Sequence, residues 1–419
     1  MKILIATAGS RGDVAPYTGL GAALRLAGHE VALATTDTFA PLVREAGLEF
    51  RGLPADPAGR GGEATDRRQL MRTAAAFITE LGHGFAEVAA EGADLLLLSA
   101  TTAPLGHHLA EAMGVPALGV YLQPTAPTGA FPPVVTGTRS LGRLANRAAG
   151  HLALHVTDRL YADAVTRLRR RLQLPASSAA ATRRRQERAH WPVLHGFSTA
   201  VVPRPADWRP GLEIVGNWWP HLDPAERLPD RVEEFLRAGP PPVLVGFGSM
   251  AGGEGERLSE LAVRALRRTG MRGILQAGAA GLAAEGDDLI TVGPLPHTLL
   301  LPRLAAVVHH AGAGTAAAAL RAGIPSVPVP VTADQPFWAA RLAALGAATA
   351  PVPFPSLTAD RLAIALGEAV SRRELTRAAV RAARRMAAED GAGRVVEAVR
   401  RIAGGLSAVS RAGTPPPCG

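Results

Sequence analysis

The sequence predicts an α/β protein made of two doubly wound domains. Two observations carry this. Short runs rich in β-branched and aliphatic residues alternate with longer alanine- and leucine-rich segments, the pattern of βαβ units around a mostly parallel sheet, and the alternation comes as two successive series. At 419 residues the chain also exceeds the size at which one core keeps growing, so two Rossmann-like domains of roughly 200 residues each are expected.

Strands are expected at 2–7, 30–34, 48–52, 95–99 and 116–121 in the first series and at 243–247, 273–276, 289–292, 305–309 and 326–330 in the second. The opening run Met1-Lys2-Ile3-Leu4-Ile5-Ala6 has too short an apolar core for a signal peptide and reads as the first strand. Residues 1–205 form the first expected domain. Pro205, Pro210, Pro220, Pro224 and Pro229 break up the next stretch, so 206–240 is read as the interdomain connection. The second domain follows at 241–385, a helix at 386–404, and a flexible tail at 405–419. Between Thr138 and His190 lies a helical region crowded with arginine. It reads as a solvated helix face with a mobile loop around Ser177 to Thr182, the alternative being contact with a membrane surface or an acidic acceptor.

Composition excludes several classes. No apolar run approaches the roughly 18 residues needed to span a bilayer, so stable membrane insertion is not expected. The single cysteine, Cys418, cannot form an internal disulfide, which suits a reducing cytoplasm. A formal charge of +9 raises the question of nucleic acid. Lys2 is the sole lysine, however, and aromatics are only 4%, so the charge reads as an arginine-biased composition without the stacking residues of a nucleic-acid binder. A monomer or homodimer is expected.

The stretch from Ala305 to Val331 is the most informative. An apolar run ends in His309-His310, a Gly-Ala-Gly-Thr turn follows, and an alanine-rich helix begins. Helix-initial N–H groups lack intrahelical partners and lie at the positive end of the macrodipole, so glycines that admit an anion make a phosphate site. Side chains alternate along a strand, so His309 and His310 cannot both face the same way, and one of them is structural. Asp334 and Gln335 add a carboxylate beside an amide, the mixture of acceptor and donor that sugar hydroxyls need; alternatively, Asp334 caps a helix with Pro336 in its first turn. Together these residues suggest a nucleotide sugar as co-substrate, with no other cofactor.

The His-His-x-Gly-x-Gly-Thr run, the Asp334-Gln335-Pro336-Phe337-Trp338 run and the segment Leu295-Pro296-His297 to Leu300-Leu301-Pro302 resemble the donor half of glycosyltransferases with the GT-B fold. The types most resembled are antibiotic-tailoring and sterol-glucosyltransferase-like enzymes. Gly9-Ser10-Arg11-Gly12-Asp13 is similar to their first loop, and Gly196-Phe197-Ser198 with Val202-Pro203-Arg204-Pro205 and Trp208 to their mid-chain segment, so the resemblance runs from about residue 1 to about residue 400.

The resemblance implies that His310, Gly312, Ala313, Gly314 and Thr315 hold the donor diphosphate. Gly248 and Ser249 resemble a second diphosphate contact, or a simple turn, and Ser10 and Gly12 are counted with the donor residues. The base is expected over Pro296 and His297; the Trp platform of plant relatives is missing, which leaves uridine against thymidine open. Relatives place the general base at Asp13 or a histidine in the same loop. No histidine precedes His29, so Asp13 is the candidate here, unless it only caps a helix. His107 and His108 are lesser candidates. The implied reaction is a single inverting, metal-independent displacement from a dTDP- or UDP-sugar to a hydroxyl of a hydrophobic natural product, with no metal site. The alternatives are a sterol or lipid glucosyltransferase, a catalytically inactive partner, and a nucleotide-sugar epimerase of the same fold.

Overall fold

The computed structural model describes residues 1–54, 67–248 and 253–412. The first domain runs β1 (Lys2–Ala6), α1 (Arg11–Leu26), β2 (Glu30–Thr35), α2 (Ala40–Glu45), β3 (Glu49–Gly52), α3 (Arg67–Ala90), β4 (Leu95–Leu98), α4 (Ala103–Met113), β5 (Ala117–Tyr121), α5 (Arg143–Arg171), α6 (Ala179–Arg188), β6 (Val193–His195) and β7 (Leu212–Ile214). Its seven strands are parallel in the order β3-β2-β1-β4-β5-β6-β7. The second domain runs α7 (Asp230–Arg237), β8 (Val243–Gly246), α8 (Gly255–Thr269), β9 (Gly273–Gln276), β10 (Leu289–Val292), α9 (His297–Leu300), β11 (Ala306–His309), α10 (Ala313–Ala322), β12 (Ser326–Pro328), α11 (Gln335–Ala344), α12 (Ala359–Ser371) and α13 (Arg373–Ala387). Its five parallel strands lie in the order β10-β9-β8-β11-β12.

Both sheets are covered on two faces, which is why their strands read as unbroken apolar runs. Alternation along the strand sorts the residues: Ile3, Ile5, Leu95 and Leu97 pack on the side of α1, while Leu4, Ala6, Leu96 and Leu98 pack against α3, α4 and α5. In the second sheet Val243 and Val245 meet α8 and α12, and Leu244 meets α7 and α10. A last helix, α14 (Gly391–Ala412), sets Val395, Val396 and Val399 against Tyr17, Leu20 and Leu24 of α1, so the end of the chain packs on the first domain. A further apolar cluster joins the domains, with Phe131, Phe197, Val202 and Trp208 on one side and Leu320, Phe337, Trp338 and Met386 on the other.

The structure moves several expected boundaries. The first sheet does not end by residue 205: β7 extends it to Ile214, inside the stretch read as a connection. Strands β6 and β7 have three residues each, too few for periodicity to show, and Pro192 and Pro210 beside them look like loop signals. At the other end of that stretch α7 buries Val232, Phe235 and Leu236 in the second core, so the connection is shorter than 206–240. The loop expected at Ser177 to Thr182 is the start of α6, because Ser178 accepts from Ala181 N–H as an N-cap and three alanines follow. Helix α14 continues eight residues past Gly404, through part of the expected tail, since no proline intervenes before Pro415. Residues 413–419 lie outside the described residues. Among the described residues no helix is long and apolar enough to cross a membrane.

Three histidines are buried inside this framework. His108 accepts from the buried Arg169, whose guanidinium also grips Glu111. His195 pairs with the Glu213 carbonyl and stacks on Trp208 at 4.7 Å, and His309 ends β11. Burial lowers their pKa values to about 4, 4 and 3, so all three are neutral when folded. The unfolded chain takes up protons near pH 6.5 that the folded chain refuses. Their contribution is therefore complete above that pH and lost as pH falls toward 4, by up to about 1.4 kcal/mol per histidine per unit. Urea denaturation at pH 7.5, 6.0 and 5.0 is expected to show a midpoint falling steeply below pH 6.5; a constant midpoint would contradict their burial as neutral groups.

Candidate functional site

Strand order reverses between β1 and β4 in one sheet and between β8 and β11 in the other. Loops leaving neighbouring strands diverge there, and the crevice beyond the carboxyl ends is where such sheets bind ligands. Asp13 follows β1, Gly248 follows β8 and His310 follows β11.

On the second domain, Gly312 is the N-cap of α10 and Ala313, Gly314 and Thr315 are its first three residues, so their N–H groups are free of intrahelical acceptors. The His310 imidazole lies against two glycines. A Cβ on Gly312 would meet its Nε2 at 2.5 Å, and one on Gly248, whose φ is +62°, would meet its Cε1 at 2.8 Å. Burial, then the charge of His297, lowers the His310 pKa to about 4, so the ring is neutral, and its Nδ1 is buried without a partner among the described residues. His309 points into the core, where its Nδ1 accepts the N–H of Ala311 at 3.1 Å. That bond holds Ala311 in the left-handed region at φ +62°. His297 starts α9 after Pro296; burial lowers its pKa, helped by the charge of Arg11 from the first domain.

Asp334 occupies the N-cap position of α11, but its side chain does not cap the helix. Instead Asp334 Oδ2 accepts from Trp338 Nε1 at 2.7 Å and from Gln123 Nε2 of the first domain at 3.0 Å. The Gln335 amide is turned inward: its Oε1 accepts the N–H groups of Val331 and Thr332 at 2.8 and 3.1 Å. Gln335 is therefore left with its NH2 group as a donor, not with the donor and acceptor pair expected from its residue type.

On the first domain, Ser10, not Asp13, is the N-cap of α1. Asp13 stands at the third helical position, and its Oδ2 accepts from both Ser10 N–H and Ser10 Oγ at 2.9 Å. Gly9, at φ +147°, has room for no Cβ, which would fall 2.5 Å from that oxygen. The Asp13 pKa is raised by burial against the opposing Ser10 bonds, with a further contribution from the negative charge of Asp334. The two carboxylates thus feel each other across the cleft.

A model of the glycosyltransferase family 28 N-terminal domain matches residues 3–126, and one of the erythromycin biosynthesis protein CIII-like C-terminal domain matches residues 275–402. The chain is 38% identical over 411 residues to O-mycaminosyltylonolide 6-deoxyallosyltransferase of Streptomyces fradiae, covering 93% of this chain and 95% of that enzyme. The chain belongs to the antibiotic-tailoring and sterol-glucosyltransferase-like glycosyltransferases. A sterol 3-beta-glucosyltransferase of Arabidopsis thaliana, UGT80A2, is 33% identical over 390 residues, 86% of this chain, and the glycosyltransferase spans 59% of that enzyme's length. The fold is that of the Streptomyces sp. SF2575 glycosyltransferase SsfS6 complexed with thymidine diphosphate, with a TM-score of 0.64 at 21% identity over 96% of this chain and 98 to 100% of solved neighbours of this kind, 99% for SsfS6.

In the glycosyltransferase Asp13, bonded to Ser10, lies within electrostatic reach of Asp334, and His297 within reach of Arg11 and of His310, which rests on Gly248 and Gly312; Ser249 lies outside the described residues. His107 and His108 belong to packing, His107 edge-on to Trp191 at 4.2 Å and His108 on the Arg169–Glu111 pair. Gln123 and Trp338, which bond Asp334, and Arg11, whose charge acts on His297, are not among the candidate residues read from the sequence. Trp338 sat in view within the Asp334 to Trp338 run, four residues after Asp334 and so on the same helix face. His310→Ala is expected to leave stability unchanged and to slow turnover by about 2 to 4 kcal/mol of transition-state free energy. Gly312→Ala, which must displace the imidazole, should approach that loss. His309→Ala should instead lower stability, by roughly 1 to 3 kcal/mol, because it strands the Ala311 N–H. Steady-state rates with parallel urea titrations check all three; equal rate losses at His309 and His310 would refute the division.

Proposed function

We propose that the glycosyltransferase is inverting and metal-independent, and that it transfers a sugar from a dTDP- or UDP-sugar to a hydroxyl of a hydrophobic natural product such as a polyketide or antibiotic aglycone. The observation that carries the proposal is the facing arrangement of one raised-pKa carboxylate, Asp13, and one anion cradle, the α10 N-terminus with neutral His310. The acceptor hydroxyl loses its proton to Asp13 as its oxygen attacks the anomeric carbon from the side opposite the diphosphate. The bond to the diphosphate breaks, and the new negative charge goes to the N–H groups of Ala313, Gly314 and Thr315 and to His310, donors fixed before the charge develops. In this proposal they do the work of a cation. Asp13 suits the role because burial makes it a stronger base than an exposed carboxylate, while Ser10 fixes its Oδ2. The protein is proposed to act in the cytoplasm.

A lipid or sterol acceptor is the second reading, and one observation favours it. Leu144, Leu152 and Val156 are exposed along α5, spaced by multiples of four and bordered by Arg143, Arg147 and Arg159. Flotation with anionic liposomes at physiological salt is expected to carry little protein. Strong, salt-sensitive flotation would favour the lipid acceptor, since each arginine near such a surface contributes about 1 kcal/mol.

Asp13→Asn keeps an acceptor for both Ser10 bonds, so stability should change little while kcat/KM on an alcohol acceptor falls about 100-fold or more. In the wild type the acid limb of kcat/KM should lie above the ordinary aspartate range, following the raised Asp13 pKa, and the variant should lose that limb. Near wild-type turnover in the variant would place the base elsewhere.

A further inference from the structure

Asp334 belongs to the second domain, yet one of the two bonds on its Oδ2 comes from the first. Gln123, two residues beyond β5, reaches across with its Nε2 at 3.0 Å, beside Trp338 Nε1 at 2.7 Å. The docking of the domains at this point has its own separate support. Phe131 of the first domain packs on Phe337 at 5.2 Å, Phe197 packs on Trp338 at 5.7 Å, and the Arg341 guanidinium lies 5.1 Å from the Phe131 and Phe337 rings. The run from Asp334 to Trp338 is thus split by function. Its aromatic end is held by the first domain's aromatic residues, and its polar start by Gln123.

Two donors from different directions on one oxygen fix the plane of a carboxylate. They leave Oδ1, which takes no bond from another described residue, in a set direction. Asp334 is buried, so water cannot replace Gln123 without cost. We infer that Gln123 is a positioning residue for the donor sugar: it orients the Asp334 carboxylate from across the cleft, so that the sugar half of the donor is recognised only when the two domains are docked. This rests on the proposed reading of Asp334 as a donor-sugar ligand. The nucleoside diphosphate, held by the α10 N-terminus within the second domain, does not pass through Gln123. The chain therefore separates recognition of the diphosphate, whose N–H donors all belong to the second domain, from recognition of the sugar, which needs both.

The test is calorimetric titration of the full chain and its Gln123→Ala and Gln123→Glu variants with dTDP, UDP, dTDP-glucose and UDP-glucose, with thermal melts confirming folding. In Gln123→Ala the Kd of the diphosphate that the wild type binds should stay within about twofold. The Kd of the matching nucleotide sugar should rise about tenfold or more, the scale of one lost hydrogen bond to a charged group. In Gln123→Glu two carboxylates meet where a donor and an acceptor met. Sugar-nucleotide affinity should be weak at pH 8 and recover toward pH 6 as a shared proton restores the bond, a pH response the alanine variant should lack. Equal weakening of diphosphate and nucleotide sugar would overturn the proposal and make Gln123 a plain structural contact, as would no weakening of either. A wild type that binds the diphosphate and gains nothing from the attached sugar would refute the reading of Asp334 beneath it. Binding of none of the four would refute the donor site as a whole.

Discussion

Two sheets that each reverse their strand order at one place impose the whole arrangement. The reversals, at β1/β4 and β8/β11, open one crevice per domain at the carboxyl ends of the strands, and docking through Phe131, Phe197, Phe337 and Trp338 turns the two crevices toward each other. A helix begins at each. The α1 start carries Asp13 at its third position, and the α10 start offers three N–H groups. Both helix starts present positive partial charge to the cleft. One is answered by its own carboxylate, because Asp13 is turned back onto Ser10 N–H. The other has no acidic residue in its first turn and remains available to an anion. In the proposed function the acceptor side and the donor side differ by that single residue choice.

Burial then tunes the two sides in opposite directions of pKa and toward the same state of charge. Loss of solvent raises Asp13 and Asp334 and lowers His297, His309 and His310, so each group is pushed toward its neutral form. Asp334 resists the push through the bonds from Trp338 and Gln123, and Asp13 through those from Ser10. The histidines gain no carboxylate partner and stay uncharged. In the proposed function it is therefore the fixed N–H dipoles at α10, and no charged histidine, that meet the diphosphate.

The parts of this arrangement that are legible in the sequence are those with local causes. Strands 273–276 and 289–292 can be read to the residue, since both are short runs centred on aliphatic residues with Gly270 and Gly278 near the first and Asp288 and Gly293 beside the second. The 312–315 turn can be read as a helix start because a Gly-rich turn meets an alanine run. What is not legible depends on partners distant in the chain. Gln123 and Asp334 lie 211 positions apart and meet only when two domains dock. Strands β6 and β7 are too short to show a period, and they exist because β5 offers an open edge next to them. The alternative in which Asp13 caps α1 falls to Ser10 for a local reason: Ser10 and Asp13 are both good N-caps, three apart, and nothing in the sequence chooses between them.

The two polar doublets of the second domain share a design that explains why each has two members. Ala311 follows His309-His310 at φ +62°, and Ala333 precedes Asp334-Gln335 at φ +58°. A non-glycine residue in the left-handed region costs about 1 to 2 kcal/mol and persists only where its surroundings hold it. In the first doublet His309 holds the turn by accepting the Ala311 N–H; in the second Gln335 holds it by accepting the N–H groups of Val331 and Thr332. The other member of each pair, His310 and Asp334, sits beside that held turn with its side chain turned elsewhere, His310 onto Gly248 and Gly312 and Asp334 onto Trp338 and Gln123. One residue of each doublet fixes the strained turn and the other uses it, so a polar pair at a strand end or helix start is better read as a support and a contact than as two contacts.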